Sequence, residues 1–175
     1  MHDFNELVHR STTFSLNTLN KVESELIEQL ETGGSIILIK NLQMIQLQKT
    51  IIAIGAFSLF ESILQNVLAC KNGFKEAKNI LNQSGNTELS SNFDNFICAI
   101  NVLKHGKGRS YDTLVAKSES LSFRVKLPDE DFFNEGDISE ISTLIEVDDK
   151  FVLDCTKLIE EVSKVIKIQR PDLFF

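Results

Sequence analysis

Apolar residues recur at steps of three and four along most of the chain, which is the spacing of one face of an α-helix. The first run predicts a helix over 4–31, ended by a pair of glycines. A second run predicts a helix over 36–70, with Ser35 as its N-cap. Residues 51–64 of that helix are apolar almost all round, which predicts burial on several sides. Residues 36–39 alone also fit a short buried strand.

The second half of the chain shows three further helical segments. The pattern predicts a short helix over 74–81, a longer one over 88–104, and a last long helix that runs to about residue 168. The stretch from Asp137 to Glu140 has the form of a capping box, so this last helix is expected to begin there and to include 141–145.

Residues 106–136 lose the helical spacing. Within them, 121–127 alternate between apolar and polar, as in a half-exposed strand, and together with 113–116 they predict a small hairpin. A chain of 175 residues is sufficient for one ordinary domain. The sequence therefore predicts a single all-α domain over 1–175. Its architecture would be an antiparallel bundle of four to five helices, with a loop or hairpin insertion before the last long helix.

The charge of the chain is acidic overall but unevenly distributed. A net charge of −7 excludes a general binder of nucleic-acid backbone, because phosphate contacts need concentrated positive charge. Residues 129–149 carry nine carboxylates and no Lys or Arg. Residues 104–126 carry only two carboxylates, against six cations: Lys104, Lys107, Arg109, Lys117, Arg124 and Lys126. A local basic loop is therefore able to meet a phosphate.

Three cysteines lie far apart and lack the spacing of a zinc or redox site, so they are expected to be reduced thiols. No cofactor or metal motif is present in the sequence. The most apolar window, 51–60, is too short to span a bilayer, and no secretory leader is apparent. These observations predict a cytoplasmic protein without a membrane segment.

Candidate chemistry is concentrated at the end of the helix predicted over 88–104. At 100° per residue, four polar groups fall on one edge of this helix: Asp94, Cys98, Asn101 and His105. Asn101 lies one turn before His105, where an amide can orient an imidazole, and an imidazole suits proton transfer near neutral pH. Two other interpretations are open. His105 could act only as a favourable charge at a helix C-terminus, or it could share a metal with Asp94 and Cys98.

The chain resembles the HEPN-type helical proteins in two short motifs. Their motif of arginine, a polar residue, three variable residues and histidine is matched by Asn101-Val102-Leu103-Lys104-His105, with Ile100 where the arginine is expected. The Phe-Glu-x-x-Leu pattern of several HEPN-like groups is similar to Phe60-Glu61-Ser62-Ile63-Leu64. A small basic loop, 106–109, follows the histidine as in some members.

The resemblance implies metal-independent RNA cleavage in active members, with the histidine in proton transfer and the arginine on the phosphate, usually across a homodimer. Isoleucine cannot hold a phosphate, so we expect a non-catalytic or weakly active member. Such a protein would act by binding a protein or RNA partner, in a setting such as prokaryotic defence or toxin–antitoxin systems. The alternative is a ribonuclease that uses His105 and Asn101, with a phosphate bound by Lys104, Lys107 or Arg109.

Overall fold

The structure, a computed structural model, describes residues 4–33, 35–130 and 141–172. The described chain is all-α, as predicted. Its helices are α1 (Phe4–Thr32), α2 (Ile36–Val67), α3 (Gly73–Gln83), α4 (Thr87–His105), α5 (Arg109–Val115) and α6 (Asp149–Gln169), with a 3-10 turn over Ser118–Ser120.

The helices predicted in the first two thirds of the chain are present. The hydroxyl of Ser35 accepts a hydrogen bond from the Ile37 amide, which caps α2 as expected. Residues 36–39 belong to α2, so the alternative of a buried strand is wrong. The Ile37 amide bonds to the Ser35 hydroxyl, and the Leu38 and Ile39 amides bond to the Ser35 carbonyl, as in the first turn of a helix.

The expectation that α2 is buried on several sides is wrong for its outer face. Ile51 and Leu59 are more than half exposed, whereas Phe57 and Phe60 on the inner face are fully buried. By length and composition alone, α2 is apolar enough to cross a membrane, a criterion that core helices of soluble proteins also meet. A periodicity argument detects the inner face of this helix but does not show what covers the outer one.

The described part of the insertion contains a helix rather than the predicted hairpin. Residues 113–116 lie at the end of α5 and do not pair with 121–127. Val125 instead forms an isolated antiparallel bridge with Ile145. The alternating pattern of 121–127 corresponds to alternating burial only as far as Val125, since Lys126 is buried and Leu127 is exposed.

The last helix begins later than predicted. Asp148 is its N-cap, and the Asp148 side chain accepts a hydrogen bond from the Phe151 amide at 2.7 Å. Ile145 is fully buried but lies in the extended segment that pairs with Val125, so the prediction of helix over 141–145 is wrong. The proposed capping box at 137–140 lies outside the described residues.

Phenylalanine side chains form the centre of the main core. Phe57 of α2 contacts the rings of Phe74, Phe93 and Phe96 at centroid distances of 6.0–6.4 Å. Phe96 also stacks on Phe151 of α6 at 5.3 Å. Because these rings come from four helices, their burial holds α2, α3, α4 and α6 together and fixes the positions of the polar groups at the surface above them.

Candidate functional site

A polar groove of about 350 Å³ lies between α2, α3 and α4. Its apolar lining is formed by Phe57, Phe74, Ile97 and Ile100, and its polar lining by Ser58, Glu61, Asn72, Lys75, Lys78, Asn101 and Lys104. Among the polar candidates proposed from the sequence, Asn101 and Lys104 are therefore brought together here.

The groove exists because α3 approaches α2 very closely at Gly73. A Cβ atom at this position would lie 2.6 Å from Cβ of Leu64 and 2.8 Å from the carbonyl oxygen of Glu61, closer than real side chains pack. Asn72 begins the helix by accepting a hydrogen bond from the Lys75 amide at 2.9 Å. The first turn of α3 is thus held against α2, and its N-terminal end lies at the groove.

The groove carries more positive than negative charge. Three lysines line it, from α3 and α4, against one carboxylate, that of Glu61. Lys78 forms an ion pair with Asp94, whereas Lys75 and Lys104 are exposed. The positive end of the α3 helix dipole makes the electrostatic potential of the groove more positive. The arrangement suits a negatively charged group such as a phosphate.

His105 does not line the groove. Successive helical residues are rotated by about 100°, so Lys104 and Asn101 are about 60° apart and His105 lies about 40° further round α4. Its side chain is exposed, and the described residues provide no hydrogen bond to it. The interpretation of His105 as a charge at the C-terminal end of α4 fits its position in the last turn of that helix.

The basic loop after His105 also lies outside the groove. Gly106 ends α4 with φ of +75°, a left-handed conformation that favours glycine, and its amide bonds to the Val102 carbonyl. Lys107 and Arg109 are exposed and do not line the groove. Of the three cations predicted as candidates for phosphate binding, only Lys104 therefore lies at the groove.

The position expected for the motif arginine is part of the core. Ile100 is only 3% exposed and forms part of the apolar base of the groove. Within the described residues, no three His, Cys, Asp or Glu side chains form a metal-binding group, so Asp94, Cys98 and His105 do not combine into one. Burial first, and the nearby Asp94 second, raise the pKa of the Cys98 thiol, so it stays protonated near neutral pH.

Four polar groove residues were not identified from the sequence as functional candidates: Ser58, Asn72, Lys75 and Lys78. The lysines lie one helical turn apart on α3, which places them on one face, but nothing local shows that this face meets α4. Such a site depends on how distant helices pack.

Comparison of the chain with models of protein families, with curated proteins and with solved structures finds no match.

Proposed function

We propose that this protein acts by binding rather than by catalysis, with the α2–α3–α4 groove as the site for a phosphate group of an RNA partner. The carrying observation is that Lys75, Lys104 and Asn101 line one groove at the positive end of α3. Two lysines and an amide provide donors for a phosphate without requiring any group to titrate.

The HEPN resemblance is part of this proposal. Its two motif fragments are about forty residues apart in the sequence, yet Glu61 of the first and Asn101 of the second line the same groove. The antiparallel bundle is part of it as well, and α1, α2 and α6 pack against one another as such a bundle requires. A homodimer in the cytoplasm, in a prokaryotic defence or toxin–antitoxin setting, completes the proposal.

Binding is favoured over cleavage by the position of the candidate catalytic group. A general acid or base must lie within hydrogen-bond reach of the reacting oxygen, and His105 is rotated away from the groove. Ile100 contributes no charge to a transition state, and an exposed lysine is not a preorganised guanidinium fork. The ribonuclease alternative therefore has its histidine outside the groove that holds Asn101 and Lys104.

Reversing two groove charges is expected to weaken RNA binding at least tenfold. Lys75→Glu combined with Lys104→Glu replaces two phosphate donors with repelling carboxylates. For a single-stranded RNA, loss of the one phosphate held in the groove also lowers the slope of log affinity against log salt by about 0.7. Fluorescence anisotropy with a labelled RNA oligonucleotide, measured over a range of salt, gives both quantities.

The matched control uses the loop cations. Lys107→Glu combined with Arg109→Glu changes the net charge by the same amount outside the groove, and we expect less than a threefold change. A larger loss in this control would move the binding site to the loop. Cleavage of the oligonucleotide in the presence of a chelator, abolished by His105→Ala, would replace the proposal with the ribonuclease.

A further inference from the structure

The outer face of α2 is an apolar surface that no other described part of the chain covers. Five large side chains on it are between 49% and 70% exposed: Ile36, Ile37, Met44, Leu47 and Ile51. We call this surface the α2 stripe. A Cβ atom at Gly55 would meet nothing within 4 Å, so the helix is open to solvent beyond the stripe as well. Clustered exposure of this kind indicates an interaction surface, unlike the scattered single apolar residues of ordinary surfaces.

The stripe has the spacing of a helix-pairing seam. Ile37, Met44 and Ile51 are seven residues apart, Leu47 falls between the last two at steps of three and four, and Ile54 follows Ile51 by three. Such a 3-4 pattern keeps one edge of a helix facing another helix over several turns. With 32 residues, α2 is about 48 Å long at 1.5 Å per residue, so it is long enough for an extended contact.

The charged residues of α2 indicate which partner covers the stripe and in which orientation that partner lies. The helix has three charged residues, and Lys49 among them is buried in ion pairs with α1 and α6. The others are Lys40 near its start and Glu61 near its end, each about 16 Å from the midpoint between Thr50 and Ile51. A second copy of α2 in antiparallel orientation brings each Lys40 opposite a Glu61, whereas a parallel copy brings like charges together.

We propose that two copies of the chain pair through antiparallel α2 stripes, and that Lys40 of each copy completes the groove of the other. The same register sets Leu47 opposite Ile54 and places Ile51 beside the two-fold axis. Because Glu61 lines the groove, the second copy's Lys40 adds a cation at its edge and offsets the one carboxylate there. The dimer thus deepens the proposed phosphate-binding function, on which this last step rests.

Dimerisation is tested on the full chain by light scattering across concentration. Wild type is expected at the mass of two chains, and Leu47→Glu with Ile51→Glu at the mass of one, because four carboxylates would be buried at the seam. Ile168→Glu replaces an isoleucine that is 74% exposed on α6, and it should stay dimeric. Circular dichroism verifies that each variant retains its helices.

Charge exchange tests the direction of pairing. Lys40→Glu alone and Glu61→Lys alone are expected to raise the dimer dissociation constant about tenfold each, and the double exchange to restore it. Failure of the exchange to restore pairing would overturn the antiparallel arrangement. A monomeric wild type, or one that is retained on phosphatidylcholine vesicles through α2, would overturn the dimer itself.

The groove function and the α2 dimer can be contradicted independently of each other. A dimer that binds no RNA contradicts the groove function and leaves the α2 pairing standing. A monomer whose RNA binding is weakened by Lys75→Glu combined with Lys104→Glu contradicts the α2 pairing and leaves the groove function standing. In a dimer that binds RNA, a mixed sample of Lys40→Glu and Glu61→Lys chains should form heterodimers in preference to either homodimer, since only the mixed pair avoids like charges at both ends.

Discussion

Replacement of Phe96 by alanine is expected to lower the free energy of unfolding by about 3–5 kcal/mol, a large part of the stability of a domain of this size. Phe96 is 1% exposed. Its ring contacts Phe57 at 6.4 Å, Phe123 at 5.0 Å and Phe151 at 5.3 Å. The cavity left by the substitution would be lined by rings from separate elements, which cannot all close on it.

Urea unfolding followed by circular dichroism measures this loss. Phe14→Ala is the matched control, because Phe14 has the same side chain but is 74% exposed on α1, and its removal should change stability by no more than about 0.5 kcal/mol. Equal effects of the two substitutions would mean that Phe96 does not occupy the core described here.

The helical elements were predictable where one buried face repeats along the sequence. In α4, burial of Phe93, Phe96 and Ile100 follows the expected spacing of three and four. The same reasoning failed at Ile145, because a buried residue in an extended segment looks locally like the next residue of a helical stripe. The antiparallel bridge between Ile145 and Val125 keeps this segment extended, and the two residues are twenty positions apart in the sequence.

The candidate site was predictable only in part, for a related reason. Periodicity placed Asn101 and His105 on one edge of α4, and a difference of about 40° between them decides which one meets the groove. That difference matters only after α3 packs beside α4. The close approach at Gly73 holds α3 against α2, and a lone glycine after Asn72 reads locally as a turn signal. The groove lysines of α3 therefore needed the tertiary structure.

Lys49→Met is expected to lower the free energy of unfolding by about 2–3 kcal/mol. The Lys49 side chain is 6% exposed, and its Nζ lies 3.0 Å from Glu23 Oε2 and 2.9 Å from Asp149 Oδ1. Asn20 also donates to Asp149, so the network joins α1, α2 and the start of α6.

Methionine at position 49 would leave two carboxylates facing each other without a cation. Removing one partner of a fully buried pair costs about 3–5 kcal/mol, and partial exposure of these carboxylates reduces that loss. Lys21→Met, on the neighbouring helix α1 and exposed, is the matched control in urea unfolding.

The pH dependence separates loss of this charge from simple loss of packing. Burial alone would lower the pKa of Lys49, but the contacts with Asp149 and Glu23 outweigh it, so its pKa lies above the ordinary value of 10.5. A lysine whose pKa rises on folding stabilises the folded state fully below its unfolded pKa, and this contribution disappears as the pH rises through the folded pKa. The stability difference between wild type and Lys49→Met should therefore be constant from about pH 7 to about pH 9 and shrink above about pH 11. A difference that stays the same across the alkaline range would mean that Lys49 stabilises α2 through its methylene groups and not through its charge.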